Sequence, residues 1–167
     1  MNTARSIWHV VLLVGLSAGL CITIQSPLSA QMLGLSSATI QDINAAFDAG
    51  TLTSEDLVEL YLARIQAYDQ DGPQLNAVLW LNDQALETAR MLDEERRTNG
   101  PRSPLHGIPV GLKDNVDTAD MPTTAGSLLL QGSVPPDDAF IVEKLRNAGA
   151  IILAKLNMSE LASGVTM

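Results

Sequence analysis

The chain has 167 residues, of which 46% are hydrophobic, 17% charged and 4% aromatic, with 12 glycines and 8 prolines. Ordinary globular proteins have such a composition, which excludes a collagen-like, low-complexity or disulfide-rich chain. Ten basic residues against 19 acidic residues leave a net charge of −9. This charge disfavours sequence-independent binding to nucleic acids or anionic membranes, so we expect neutral or cationic small molecules as partners and no nucleic acid.

Residues 1–30 have the pattern of an export signal. Arg5 is the only charged residue before Asp42, an apolar stretch covers residues 10–24, and Pro27 interrupts it. A short apolar run behind a single positive charge is typical of a secretory signal peptide. The predicted protein is therefore exported, to the periplasm or the outside of the cell.

The end of this segment offers a cleavage site. Ala30 is a small residue before Gln31, which leaves residues 31–167 as the mature domain. The alternative is an uncleaved membrane anchor, because residues 7–24 are about as long as a membrane-spanning helix needs to be. Contact with a membrane is expected only through this signal or anchor.

The mature part offers little for a metal. It has no cysteine, and His106, which we expect in a loop, is its only histidine. Zinc and iron sites need clusters of such ligands, so we expect no metal and no cofactor. The carboxylates of Asp114, Asp117 and Asp120 lack the glycine and the distal glutamate of a calcium-binding loop, and a solvated loop is expected there.

The first half of the mature chain has amphipathic periodicity. Thr39 and Thr53 each precede an aspartate by three residues, which predicts two helices that begin with a capping box, the first of them closed by Gly50. Residues 77–81 predict a short strand, and residues 83–97 return to helical spacing. Three aromatic side chains in these segments are expected to pack in the core: Tyr61, Tyr68 and Trp80.

After Pro101 the apolar runs become short. Residues 108–112 predict a strand, Asp137 or Asp138 is placed to cap a helix, and residues 151–154 predict a strand buried on both faces. A strand, a helix and a strand in succession predict a parallel crossover. The fold class is therefore α/β: N-terminal helices followed by the start of a mixed, largely buried sheet that is flanked by helices.

Two lysines follow the predicted strands. Lys113 and Lys155 stand at strand ends, which in open α/β sheets face the crevice where ligands bind. Lys113 can equally be a surface ammonium paired with Asp114, Asp117 or Asp120. A lysine acts as a general base only when its amine is neutral, so a catalytic role for Lys113 requires desolvation to outweigh these carboxylates.

Three motifs in this half occur together. Residues 105–115 read LHGIPVGLKDN, residues 123–127 read TTAGS, and residues 155–162 read KLNMSELA. These segments resemble the amidase signature hydrolases, and the third is similar to the Gly-Lys-Thr-Asn segment of that family, with Ala154 and Leu156 in place of its Gly and Thr. The likeness extends over the helical region and covers about all of the mature chain.

The resemblance implies an amidase signature fold and hydrolysis of linear amide C–N bonds by a triad of Ser, cis-Ser and Lys. Lys113 would be the catalytic base, and Lys155 and Asn157 would line the crevice. The substrate would be the carboxamide of a small molecule or a peptide, and no cofactor is implied.

The serines of the triad have no counterpart in this sequence. The serines after Lys113 are not in a Gly-Ser-rich context, so the chain resembles roughly the N-terminal third of such an enzyme, with the base but without the bridging serine and the nucleophile. We expect it to be inactive alone, and we expect the strand at residues 151–154 to lie at an open sheet edge. By resemblance, Ser127 is a structural residue near the lysine rather than a nucleophile. The serines concerned are Ser127, Ser133, Ser159 and Ser163.

Two classes of function remain open. The first is an exported amidohydrolase whose chain has been cut short; here the signal favours a periplasmic or extracellular amidase of the bacterial peptide-amidase type over the cytoplasmic glutamyl-tRNA amidotransferase. The second is a non-catalytic, exported amide-binding module or a gene remnant.

Overall fold

Helices and strands alternate along the chain in the computed structural model, which describes residue 34 and residues 37–163. The predicted signal at residues 1–30 lies outside the described residues. No helix within the described ranges has the length and apolar character needed to cross a membrane. The elements are α1 Ile40–Asp48, α2 Ser54–Ile65, β1 Val78–Leu81, α3 Ala85–Asn99, β2 Pro109–Lys113, α4 Phe140–Asn147 and β3 Ile151–Leu156; a π-helical turn, Gln66–Asp71, continues α2.

Both predicted capping boxes are confirmed. The Thr39 hydroxyl accepts a hydrogen bond from the Asp42 amide at 3.2 Å, and the Asp42 carboxylate accepts one from the Thr39 amide at 2.8 Å. Thr53 and Asp56 repeat the arrangement at the start of α2, with both distances 3.0 Å. These side chains satisfy amides that a first helical turn leaves without partners, so α1 and α2 begin where the local sequence predicts.

The sheet has the strand order β1-β3-β2. β3 pairs with β2 in parallel and with β1 in antiparallel fashion, which confirms the parallel crossover and the mixed α/β fold. The prediction of an open edge at residues 151–154 is wrong, because β3 is the central strand. The first half of the chain supplies β1 as its second neighbour, with Val78 opposite Leu156.

Helices cover both faces of the central strand. Ile151 and Leu153 of β3 pack in a cluster with buried residues of α2 and α3. Ile152 packs on the opposite face with Val142 of α4 and with Leu112 of β2. Successive side chains of a strand point to opposite faces, so a continuous apolar run is what a strand between two helical layers requires. A third cluster joins α1, α2 and the residue just before β2: Ile43, Phe47, Leu57 and Ile108.

The start of α4 differs from the prediction. Its N-cap is Ala139, which makes no side-chain cap, so capping by Asp137 or Asp138 is wrong. The Asp138 carboxylate instead accepts a hydrogen bond from the Ala119 amide at 2.9 Å and one from Arg146 at 2.8 Å. Asp138 thus binds Ala119 and Arg146 instead of the amides of the first turn of α4.

Side-chain burial corrects one further expectation, the packing of all three aromatic residues in the core. Tyr61 and Trp80 are half-buried and pack against the core clusters, but Tyr68 is 52% exposed. His106 lies in a loop as expected, yet it is completely buried. Its Nδ1 accepts from the Arg102 amide at 3.2 Å and its Nε2 lies 2.8 Å from the Leu92 carbonyl, so the ring connects α3 to the loop that follows it.

Candidate active site

The two candidate lysines lie at the same end of neighbouring strands. In the parallel register of β2 and β3, Leu112 is opposite Lys155 and Lys113 is opposite Leu156. Side chains alternate between faces along a strand, so consecutive register positions place the two lysines on opposite faces of the sheet. The structure therefore gives them different environments.

Lys113 is exposed at the end of β2. Its Nζ donates a hydrogen bond to the main-chain oxygen of Asn157 at 2.9 Å, across to the loop that follows β3. Among the described residues, no carboxylate lies within 4.0 Å of this ammonium, so the expected pairing with Asp114, Asp117 or Asp120 is not made. The ammonium is held by a carbonyl and remains accessible from outside.

Lys155 is completely buried within β3. Its Nζ donates to the Pro122 carbonyl at 3.0 Å and to the Thr123 hydroxyl at 2.7 Å, and it lies 3.7 Å from a carboxylate oxygen of Asp114. Burial lowers the pKa of Lys155, and this effect outweighs the nearby Asp114 carboxylate, which raises the pKa. Lys155 therefore does not line a crevice; it ties β3 to the loop that follows β2.

Asp114, next to Lys113, is also completely buried, so the expectation of a solvated loop is wrong for this residue. One carboxylate oxygen accepts hydrogen bonds from the Thr124 amide at 3.1 Å, from the Thr124 hydroxyl, and from the Gly126 amide at 3.2 Å. Asp114 thus holds the following loop against the end of β2.

Within the ranges that the structure describes, no group of three or more metal-ligating side chains is close enough together to hold an ion.

A cavity of about 170 Å³ lies beside this loop. Asn157 belongs to its wall and joins it to Lys113, since the Asn157 carbonyl accepts the hydrogen bond of that lysine. The lining side chains are neutral, a mixture of apolar and hydrogen-bonding groups that suits an uncharged polar ligand. They are Leu79, Trp80, Thr124, Gly126, Ser127, Leu128, Gln131 and Asn157.

The serines of this region do not contact Lys113 in the described part of the chain. Ser127 is buried, and its hydroxyl donates to the Glu160 carboxylate at 2.7 Å and accepts from the Leu129 amide at 3.3 Å. Ser163 donates to the Glu160 carbonyl at 2.7 Å. A serine nucleophile needs contact with an oriented base, so these contacts indicate structural roles.

The buried pair of Asp114 and Lys155 was missed by reasoning from the sequence. A signal for it exists, because Lys155 directly follows an apolar run that predicts a strand buried on both faces. A charge that continues such a strand must be buried too, and a buried charge needs an opposite charge or several hydrogen bonds.

The fold and the site agree with the protein family that the sequence matches. They combine a mixed sheet, helices that flank it and lysines near the ends of two strands. The model of the Amidase family matches residues 56–167, and the chain belongs to this family.

Individual relatives agree with this assignment. A probable amidase from Arabidopsis thaliana is 48% identical over 128 residues, which are 75% of this chain and 24% of that protein. The X-ray structure of peptide amidase from Stenotrophomonas maltophilia is 49% identical with a TM-score of 0.74, and the match covers 77% of this chain and 26% of that one. A peptide amidase in complex with the competitive inhibitor chymostatin is 50% identical with a TM-score of 0.73, over 75% of this chain and 26% of that one. The chain spans about a quarter of the length of these relatives.

Proposed function

We propose that this chain carries the general base of an amidohydrolase, and that Lys113 is that base. The observation that carries the proposal is the position of Lys113: its amine is accessible at the end of β2 and donates a hydrogen bond at 2.9 Å to the carbonyl of Asn157, a residue that also lines a neutral cavity. A general base must be neutral, so the remaining part of such a domain covers Lys113 and supplies the desolvation that a neutral amine requires. The bridging cis-serine and the nucleophilic serine belong to the remaining part of such a domain. The 167-residue chain by itself is accordingly inactive.

The proposed reaction is hydrolysis of a carboxamide. The neutral amine of Lys113 takes a proton from the bridging serine, which takes one from the nucleophilic serine as that oxygen attacks the amide carbon. The C–N bond breaks, ammonia or an amine leaves with a proton returned through the same relay, and water then hydrolyses the acyl-enzyme ester. The charge of the lysine changes only transiently, as in other variants of the triad.

The proposed substrate is the uncharged carboxamide of a small molecule or a peptide. Two relatives are peptide amidases, and the cavity wall offers hydroxyl and amide groups but no charged side chain. The net charge of −9 likewise disfavours an anionic substrate.

The test begins with the reading frame beyond the Met167 codon. The whole polypeptide that the transcript encodes is expressed and assayed for ammonia release from a peptide amide. We expect turnover that is lost in Lys113→Ala and also in Lys113→Arg, because a guanidinium keeps the positive charge but does not deprotonate. Lys144→Ala is the matched control, since Lys144 is an exposed lysine on α4. Full turnover in Lys113→Arg would refute the assignment of the base.

We also propose that the chain is exported and cleaved between Ala30 and Gln31. The support is the single positive charge followed by an apolar run in residues 1–30. Mass spectrometry of the protein from the periplasm or the medium should find Gln31 at its N-terminus. Recovery of the chain with residues 1–30 intact in the membrane fraction would establish the anchor instead.

A further inference from the structure

The residues on either side of the loop after β2 are joined by one buried network. Asp114 accepts hydrogen bonds from Thr124 and Gly126, and its amide donates to the Leu156 carbonyl at 3.0 Å. Lys155 holds the preceding part of the same loop through Pro122 and Thr123. The loop thus cannot move without breaking contacts to one of two buried charges.

The network also determines where Lys113 lies. Its main chain precedes Asp114, whose amide and carboxylate are both fixed, and its ammonium reaches the Asn157 carbonyl. Asn157 is fixed in turn, because its amide donates to the Ala77 carbonyl at 2.8 Å and its side chain donates to the Asn76 carbonyl at 2.9 Å. The main-chain end of Lys113 is therefore attached to the network through Asp114, and its ammonium is attached to Asn157, which the residues before β1 hold.

Charge complementarity makes Lys155 the essential partner. Asp114 and Lys155 are both completely buried, and the Asp114 oxygen nearer to Lys155 has no hydrogen-bond partner. An unpaired charge in such surroundings is strongly unfavourable. Without Lys155, the Asp114 carboxylate would be buried with no opposite charge and would move toward water, and the loop and the adjoining Lys113 would move with it.

We propose that Lys155 is a positioning residue that acts through Asp114 to hold Lys113 and the cavity loop in place; this inference rests on the proposed function of Lys113. Lys155 itself does not reach the substrate, since it is completely buried. The two lysines thus have separate roles: one carries out the chemistry, and the other holds the first in position.

A spectroscopic test follows from the lysine content of the chain. The sequence has three lysines, Lys113, Lys144 and Lys155. Reductive methylation with ¹³C-formaldehyde should label the two exposed lysines and leave Lys155 unlabelled in the native full chain. Each labelled lysine then gives a methyl NMR signal, assigned with Lys113→Arg and Lys144→Arg. Labelling of Lys155 in the native chain would overturn the proposal.

The decisive comparison uses Lys155→Met, which keeps a long apolar side chain without the charge. The Lys113 signal should shift toward that of a free dimethyl-lysine, and the Lys144 signal should stay unchanged. If Lys155→Met does not fold, Thr123→Val decides instead: it removes one of the two hydrogen bonds that orient the Lys155 ammonium toward Asp114, so the Lys113 signal should shift in the same direction by a smaller amount. The double variant Lys155→Met with Asp114→Asn lacks both buried charges. Its Lys113 signal should lie closer to the native position than that of Lys155→Met alone. An unchanged Lys113 signal in the folded variant would refute the proposal.

Turnover separates this inference from the proposed function. In the whole hydrolase, Lys155→Met should lower kcat by up to about a hundredfold with little change in KM, the size that a misplacement of about 1 Å can produce. Lys144→Ala should have no effect. If the Lys113 signal shifts as expected but Lys113→Ala retains turnover, the positioning role stands and the proposed function fails. If Lys113→Ala is inactive and Lys155→Met is fully active, the positioning role fails alone.

Discussion

Lys113 and Lys155 stand one register position apart on neighbouring parallel strands, yet Lys113 is exposed and Lys155 is completely buried. The alternation of side chains along a strand separates them. One amine is available to a reactant, and the other holds a loop to the sheet. This difference predicts how substitutions at the two positions will behave.

Substitution of the two lysines should affect stability very differently. Lys113→Met removes one exposed hydrogen bond and should change the free energy of unfolding by no more than about 0.5 kcal/mol. Lys155→Met removes the buried hydrogen bonds to Pro122 and Thr123 together with the partner of the Asp114 charge, and should lower stability by about 3–5 kcal/mol. Urea denaturation followed by circular dichroism measures both.

A double-mutant cycle gives the control for this difference. Asp114→Asn combined with Lys155→Met removes both charges, so the loss should be smaller than the sum of the two single losses. Additive losses would show that the buried carboxylate and ammonium do not interact.

The free energy of unfolding should depend on Lys155 at alkaline pH. Burial lowers the pKa of Lys155 in the folded chain below its ordinary value of 10.5. Below the lowered pKa both states hold the proton; between that pKa and 10.5 the unfolded chain holds more protons, so the contribution to stability rises with pH. Urea titrations from pH 7 to about pH 11 measure the free energy of unfolding of both proteins. It should rise more with pH in the native chain than in Lys155→Met. A parallel pH dependence of the two proteins would contradict it.

Gly149 should not tolerate a side chain. Its φ is +87°, and an added Cβ would lie 2.8 Å from Nδ1 and 3.0 Å from Cα of the buried His106. Gly149→Ala should therefore lower stability by more than the about 1–2 kcal/mol of the left-handed backbone alone. Gly50→Ala is the matched control, because Gly50 has a φ of +66° with no atom within 4 Å of the added Cβ. Equal melting temperatures for the two variants would show that contact with His106 is unimportant.

The cap of α2 should contribute measurably. Thr53→Ala removes the hydroxyl that accepts from the Asp56 amide at 3.0 Å and should lower stability by about 1 kcal/mol. Thr53→Ser keeps a hydroxyl and should lose much less. Thermal denaturation of the three proteins makes the comparison, and equal losses in the alanine and serine variants would contradict a capping role.

Much of the local structure could be predicted from the order of the residues along the chain. The threonine and aspartate pairs at α1 and α2 place the helix starts, and the run at residues 151–154 places a strand that is buried on both faces. Lys113 at the end of β2 also followed from the sequence. These features depend on groups within a few residues of one another, so the local sequence contains the necessary information.

The tertiary structure alone decided which strand is central and which lysine is buried. β1 lies far before β3 in the chain and still occupies its second edge, with Val78 opposite Leu156. Lys155 donates hydrogen bonds to Pro122 and Thr123, which are 33 and 32 residues away in the sequence. Lys113 donates one to Asn157, which is 44 residues away. Periodicity and capping depend on residues that are close together in the sequence. Burial and charge pairing depend on which distant segments the fold places in contact. By itself, then, the sequence determined the elements and the lysine at the strand end; the packing of distant segments decided the separate environments of Lys113 and Lys155.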